Sequence, residues 1–391
     1  MERNDPRYQA YVEILKEELI PAMGCTEPIA LAYAAAKARE VLGVLPDSVQ
    51  LQVSGSIIKN VKSVIVPNTG HLKGMEAAVA AGIIAGSAEK ELEVISEVSE
   101  EKKSAIRDYL QTVPITIEHT EQGHVFDIVV TERCGQDYAR VRIADYHTNI
   151  CRIEKNGTVL YEVPLLDETV QEDARADRSL LNMQDIWDFA ETADLRDVAD
   201  LLERQIRYNN AIAEEGLLGD YGANIGRVLL TTYGNDVSNR AKAKAAAGSD
   251  ARMNGCELPV VINSGSGNQG LTASLPVIIY ARALGSTREE LYRALVVSNL
   301  VTIHLKTGIG SLSAYCGATT AGCGAGAGVC YLHGGRYKEM AHTIVNALAI
   351  VSGIVCDGAK PSCAAKIASA VDAGILGFEM YRKGHQFYGG D

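Results

Sequence analysis

Nine cysteines are the first chemistry-bearing residues to stand out among 391. Cys316, Cys323 and Cys330 recur every seven residues, about two helical turns, so one continuous helix would bring them to a common face. Cys356 and Cys363 repeat that interval, but Gly358 and Pro361 fall between them. That pattern predicts a helix ending near Cys356 and a second with Cys363 in its first turn, a turn able to aim two thiols at one point. Thiolates hold zinc or iron–sulfur clusters. The paired C-x2-C spacing usual for zinc is absent, whereas cluster ligation tolerates wide spacing. Spacing alone leaves the alternative open that these thiols are small packing residues of an Ala/Gly-rich core.

Cys25 stands in Gly24-Cys25-Thr26-Glu27-Pro28, ahead of an Ala-rich run to Leu42. Thr26 is the expected N-cap, and Glu27-Pro28 suits a first helical turn. A thiol there feels the positive end of the helix and is expected to titrate low, as suits a nucleophile, a base or a metal ligand. A packed thiol beside a cap is the alternative. The run Asn263-Ser264-Gly265-Ser266-Gly267-Asn268-Gln269-Gly270 follows the apolar Pro259–Ile262. Its glycines let backbone N–H groups approach an anion, with the positive end of a helix behind them. It lacks a P-loop lysine and the G-x-G-x-x-G order, so a carboxylate or small phosphate suits it better than a nucleotide. Read without a ligand, it is an ordinary glycine-rich turn. Smaller polar clusters lie at Ser54–Asn60, Pro67–His71 and His304–Gly308, the last containing Lys306. No G-x-S-x-G elbow and no lysine arrangement suggestive of pyridoxal chemistry occurs, and the eight histidines show no H-x-x-x-H spacing.

These side chains need a scaffold. Residues 5–20 carry apolar positions at helical spacing, and Pro21 ends that helix. Val49–Val53 alternates as a strand, and Ile57-Ile58 and Val61–Val66 read as further β segments. Helices are expected from about Met75 to Ala85 and Glu97 to Leu110. Strands follow at Ile115–Ile117, Val125–Thr131, Ala139–Ala144, Thr148–Ile153 and Thr158–Val163, the last two joined by an Asn156-Gly157 hairpin turn. Asp167–Ser179 reads as a charged linker. Helical pattern dominates afterwards, at Leu181–Asn210, Ala241–Ala247, Arg288–Val297, Tyr337–Val355 and Pro361–Leu376. The expected fold class is α+β: a mostly helical catalytic domain (residues 1–45 plus 180–391) with an inserted smaller α/β domain (46–179).

Composition narrows the partners. Lys and Arg number 37 against 49 Asp and Glu, a net charge of −12. An acidic chain without a basic block is a poor match for nucleic acid or an anionic membrane. Leu258–Ala281 and Thr307–Gly335 lack Asp, Glu, Lys and Arg, and both are long enough to span a bilayer. Their Gly, Ser, Thr and Asn content argues for a buried core instead. The first residues show no secretory pattern, so a cytoplasmic location with reduced thiols is expected.

The segments PAMGCTEPIALAYAAA around Cys25, SGSIIKN at Ser54–Asn60, VPNTG at Val66–Gly70, SLSAYCGA around Cys316 and CDGAKPSCAAK with Cys356 and Cys363 closely resemble the L-cysteine desulfidase family. That family includes many bacterial UPF0597 proteins, and the match runs along essentially the whole chain. The family is similar to the iron–sulfur L-serine dehydratases, whose helical domain holds a 4Fe-4S cluster by three cysteines. The resemblance implies a 4Fe-4S cofactor on Cys316, Cys356 and Cys363. Cys323 and Cys330 then become packing residues, while Cys134, Cys151 and Cys256 lie outside the motifs. It makes Cys25 a candidate base or displaceable fourth ligand. The related dehydratases use a C-terminal cysteine as that ligand. This sequence ends Gly389-Gly390-Asp391, so the expectation passes to Cys25.

The implied reaction is α,β-elimination of L-cysteine to pyruvate, ammonia and hydrogen sulfide. An iron with an open position acts as Lewis acid and a base removes the Cα proton. Ser264, Gly265, Gly267 and Asn268, with Thr26, are expected to bind the substrate, and Glu27 or Lys306 to orient the amine or a proton. Deamination of L-serine by the same chemistry is the alternative within the class, and a non-enzymatic cluster-containing sensor is the alternative outside it. A homo-oligomer is compatible with the sequence.

Overall fold

The computed structural model describes residues 1–120, 124–165, 176–310 and 312–388. Most of the expected linker, and the final Gly389-Gly390-Asp391, lie outside the described residues. Helix α1 (Pro6–Glu18) opens with Pro6 in its first turn, and the Asp5 side chain accepts from the Arg7 amide. Its buried Tyr8 and Tyr11 pack edge-on against Phe189. Strand β1 (Pro21–Met23) then pairs antiparallel with β8 (Pro259–Val261). This pairing ties the segment leading to Cys25 to the one leading into the Asn263 loop.

Helix α2 (Thr26–Leu42) is buried along most of its length. Its N-cap is Cys25 rather than the expected Thr26, and no side chain caps it. Residues 26–42 also depart from the expected grouping with the helical part. They pack on α4 (Gly74–Ala85) and on the central strands of a sheet. The reason is a close backbone approach: a Cβ on Gly82 of α4 would lie 2.1 Å from the Ala32 carbonyl oxygen.

The sheet contains β2 (Ser48–Val53), β3 (Ile115–His119), β4 (Asp127–Cys134), β5 (Asp137–Ala144), β6 (Ile150–Lys155) and β7 (Thr158–Glu162). Its order is β3-β2-β4-β5-β6-β7, with β2 and β3 parallel and the remaining neighbours antiparallel. The β2–β3 crossover runs through α3 (Gly55–Val61), α4 and α5 (Glu100–Thr112). Ile57-Ile58, expected as strand, are therefore helical, and the expected strand Val61–Val66 is reduced to a single bridge between Ile65 and Lys73. Ser54 stays extended and the chain turns into α3 at Gly55, so local β-branching yields to the crossover. The Asn156-Gly157 turn between β6 and β7 is as expected, with φ of 50° and 81°.

The rest is helical: α6 (Met183–Thr192), α7 (Ala199–Leu218), α8 (Ile225–Tyr233), α9 (Val237–Met253), α10 (Gly267–Leu284), α11 (Arg288–Ile309), α12 (Ala318–Leu332), α13 (Tyr337–Val351) and α14 (Cys363–Arg382). The expected Leu181–Asn210 helix is broken in two, because Asp194 caps a short turn at Leu195–Asp197. The fold is α+β. The two uncharged stretches become α10 and α12, which pack on one another. No helix among the described residues is long and apolar enough to cross a membrane. Glycines let α12 and α14 meet backbone to backbone. A Cβ on Gly322 would stand 2.3 Å from the Ala370 carbonyl oxygen, and one on Gly374 would stand 2.1 Å from that of Gly322.

Candidate active site

A cavity of about 1680 Å³ opens between the sheet's loops and the helical part. Cys25, Cys316, Cys356 and Cys363 all line it. Cys316 and Cys356 sit on two short segments joined by an antiparallel bridge between Tyr315 and Val355. The Cys316 amide donates to Ile354 O at 3.0 Å, and the Cys356 amide donates to Ala314 O at 2.7 Å. The preceding helix α13 ends at Val351, so Cys356 sits on the extended segment after it rather than at the expected helix end, while Cys363 opens α14 as expected. Its side chain packs on the small cluster of Cys25, Val64 and Met253. Cys316, Cys356 and Cys363 are partly exposed, whereas Cys323 and Cys330 are sealed in α12. Burial pushes those two sealed thiols up to about 12, as suits packing residues. Cys316 does not share their helical face, because α12 starts only at Ala318.

Cys25 is only 2% exposed. Burial, and then the negative charge of Glu27, raise its pKa well above the usual thiol value. The expectation of a low-titrating thiol is overturned, since desolvation outweighs the helix end. The Cys25 thiol donates to Glu27 Oε2 at 3.1 Å. The Thr26 hydroxyl reaches the same oxygen at 3.1 Å, and Asn60 Nδ2 donates to Oε1 at 2.9 Å. Burial raises the Glu27 pKa, but His147, the Cys25 thiol and Arg252 outweigh it and hold the carboxyl below its usual range. Thr26 itself does not line the cavity. Its hydroxyl donates to Gly265 O at 3.0 Å, so it braces the loop rather than facing the cavity.

The glycine-rich loop turns tightly, with Ser264 and Gly265 at φ of 49° and 74°. Ser264, Gly265 and Asn268 line the cavity, while Gly267 lies behind them as the first residue of α10. Lys306 lines the cavity near the end of α11. Its Nζ donates to Gly310 O at 2.6 Å. Burial lowers its pKa, opposed by nearby Cys356 and Cys316. Lys366 donates to Val355 O at 3.0 Å and pairs with Asp357 beside the same thiols.

Several lining residues escaped the sequence reading. His147 comes from the β5–β6 loop, where its ring packs edge-on to Phe126 with centroids 4.7 Å apart. Its Nε2 is shielded and has no partner. A Cβ on Gly265 would meet the His147 ring at 3.2 Å, so the sheet and the loop touch across the cavity. Arg252, from α9, and Gln269 also line it. Asn60 lies within the quoted SGSIIKN segment and Gln269 within the glycine-rich run, but no motif marks Arg252 or His147.

The donor set can be compared with the cluster the resemblance implies. No three His, Cys, Asp or Glu side chains among the described residues gather tightly enough for one metal ion. A cluster makes a different demand, since its thiolates are spread over several irons. Three partly exposed thiols at one cavity fit that demand.

With this geometry in hand, the comparisons are informative. Residues 89–389 match the family model for the serine dehydratase alpha chain. The chain belongs to that family. It is also 64% identical over 391 residues to a UPF0597 protein of Desulfitobacterium hafniense strain Y51, covering 100% of this chain and 90% of that one. The identity to a UPF0597 protein of Lachnoclostridium phytofermentans is 52% over 384 residues, covering 98% and 91%. To one of Treponema denticola it is 46% over 396 residues, covering 100% and 92%. The family match includes Cys316, Cys356, Cys363, Arg252 and the loop at Ser264, while Cys25 and Glu27 precede its first residue. A serine dehydratase-like lyase is the activity class to which the family points.

Proposed function

We propose that this protein is an iron–sulfur lyase that carries out α,β-elimination on L-cysteine, with L-serine as the alternative substrate. The carrying observation is the convergence of Cys25, Cys316, Cys356 and Cys363 on one cavity. Cys316, Cys356 and Cys363 would hold a 4Fe-4S cluster, which when bound supplies a Lewis acid for the departing β-group.

The protein's own groups handle the protons. Glu27 is ionised at rest and Cys25 is protonated, by the shifts above, and the two are hydrogen bonded. This places a proton acceptor beside a proton donor. To act as base, Cys25 must first hand its proton to Glu27. As donor to the leaving sulfide or hydroxide it is ready at rest. Removal of the Cα proton and loss of the β-group yield aminoacrylate. This tautomerises to an imine, and water then releases pyruvate and ammonia. The loop at Ser264–Asn268 forms one wall of the substrate's space, and His147 faces it from the sheet. A cytoplasmic, reducing setting is consistent with unpaired thiols at every described cysteine.

The test is release of pyruvate from L-cysteine and from L-serine by anaerobically reconstituted protein, with sulfide measured in parallel. Pyruvate with stoichiometric sulfide from L-cysteine is the expected result. Iron-loaded protein that turns over neither amino acid contradicts the reading.

A further inference from the structure

Arg252, the penultimate residue of α9, is 3% exposed. Its Nε has no partner, and no described residue accepts a hydrogen bond from its guanidinium. An unpaired buried cation is costly. The nearby Glu27 carboxylate attracts it through space but accepts no hydrogen bond from it, its oxygens being taken by Cys25 and Asn60. Arg252 is among the residues that line the cavity. The loop passes it at Gly267, where a Cβ would lie 2.3 Å from Arg252 Nε. Only glycine leaves that space open.

Three further lining groups have shielded oxygens without partners: Asn60 Oδ1, Asn268 Oδ1 and Gln269 Oε1. All three have their orientation set by what their nitrogens do, Asn268 by donation to Met253 Sδ at 3.6 Å. Asn60 Nδ2 donates to Glu27 Oε1 at 2.9 Å and Gln269 Nε2 to Ser264 O at 3.4 Å, which leaves the oxygens free to accept. One cavity therefore holds an unused two-pronged donor and a set of unused acceptors. That is the complement of a carboxylate and an ammonium group.

We propose that Arg252 binds the α-carboxylate of an α-amino acid, and that the free amide oxygens of Asn60, Asn268 and Gln269 receive its α-ammonium group. This rests on the lyase reading for its substrate class, but its test requires no turnover. The probe is L-alanine, which carries both groups and no β-leaving group. Its binding to the full-length protein is measured by calorimetry beside L-alaninamide and propionate. L-Alanine is expected to bind at least about 30-fold more tightly than L-alaninamide, the scale for losing one partner of a buried charge pair. Propionate is expected to bind at least about tenfold more weakly than L-alanine. Arg252→Met is expected to erase the preference for acid over amide. An arginine that merely balanced thiolate charge would leave that preference intact in the variant, and this result overturns the proposal. So does equal affinity of the wild type for acid and amide, or no binding of L-alanine at all. Should Arg252→Met fail to fold, the acid–amide comparison on the wild type decides alone. Binding without pyruvate release would sustain this subsite and sink the lyase reading, and turnover without acid–amide discrimination would do the reverse.

Discussion

The Cys25–Glu27 pair concentrates the proton chemistry in two adjacent buried side chains. Replacing Cys25 with Ala removes the donor without touching Cys316, Cys356 or Cys363. Replacing Glu27 with Gln keeps a hydrogen-bonding oxygen but removes the acceptor. Both variants are expected to retain wild-type iron content and lose pyruvate formation by about 10²–10⁴-fold, the usual worth of a positioned acid or base. Turnover and iron assays on the same preparations check this. Wild-type turnover in Cys25→Ala would remove that thiol from the mechanism, and loss of iron would make it a ligand instead. Legibility differed sharply at this scale. The cysteines are rare residues in distinctive segments, and the four that the family resemblance selects reach the cavity, whereas Cys323 and Cys330, which share their spacing, do not. Arg252 and His147 are common residue types in unremarkable surroundings. Their role lies in what they lack, a partner, and a sequence carries no record of that. The charge state of Cys25 was hidden for the same reason: its position at a helix start was readable, its burial beside a carboxylate was not.

At the scale of elements, two cluster-holding candidates depend on how closely α12 and α14 approach. Cys316 lies two residues before α12 and Cys363 is the first residue of α14. The approach requires the absence of a side chain at Gly322, where a methyl group would stand 2.3 Å from the Ala370 carbonyl oxygen. Gly322→Ala is expected to push the helices apart, at a cost of about 1–3 kcal/mol or more, and to reduce iron bound per chain. Gly353→Ala is the control, since nothing lies within 4 Å of the added atom. Chemical denaturation and iron stoichiometry on the two variants check this. Unchanged stability and loading in Gly322→Ala would show that the contact can relax. The helix start at Cys363 was readable because Gly358 and Pro361 punctuate the chain before it, but the helix end expected at Cys356 was not found, since α13 stops at Val351. Ile57-Ile58 were misread because two isoleucines outweighed a polar, glycine-started segment that the parallel crossover turns into α3. Cys316, seven residues from Cys323, was readable as a helical neighbour and is not one, since its amide pairs instead with the segment after α13.

Across the whole molecule, the cavity is built from distant parts of the chain. Glu27 and Asn60 come from α2 and α3, His147 from the sheet, Arg252 and the loop from the helical part, and the three cysteines from further along. The grouping of residues 1–45 with the helices followed composition, because an Ala-rich helix looks alike on either side. Packing puts α2 on the sheet, and Cys25 therefore sits where the two layers meet. A ligand held between both walls should stabilise both. At a concentration one hundred times its Kd, a ligand that binds only the folded state adds about 2.7 kcal/mol, and this reaches any segment whose opening would release it. With L-alanine bound, slower amide exchange is expected at Tyr146–Asn149 of the sheet as well as at Gly265–Asn268. β7, whose residues are exposed and which contributes nothing to the cavity lining, should be unchanged. Hydrogen-exchange mass spectrometry with and without the ligand reads all three segments at once. Protection confined to the helical loop would mean that the sheet is a bystander. Protection on both sides would mean that neither layer alone makes the site.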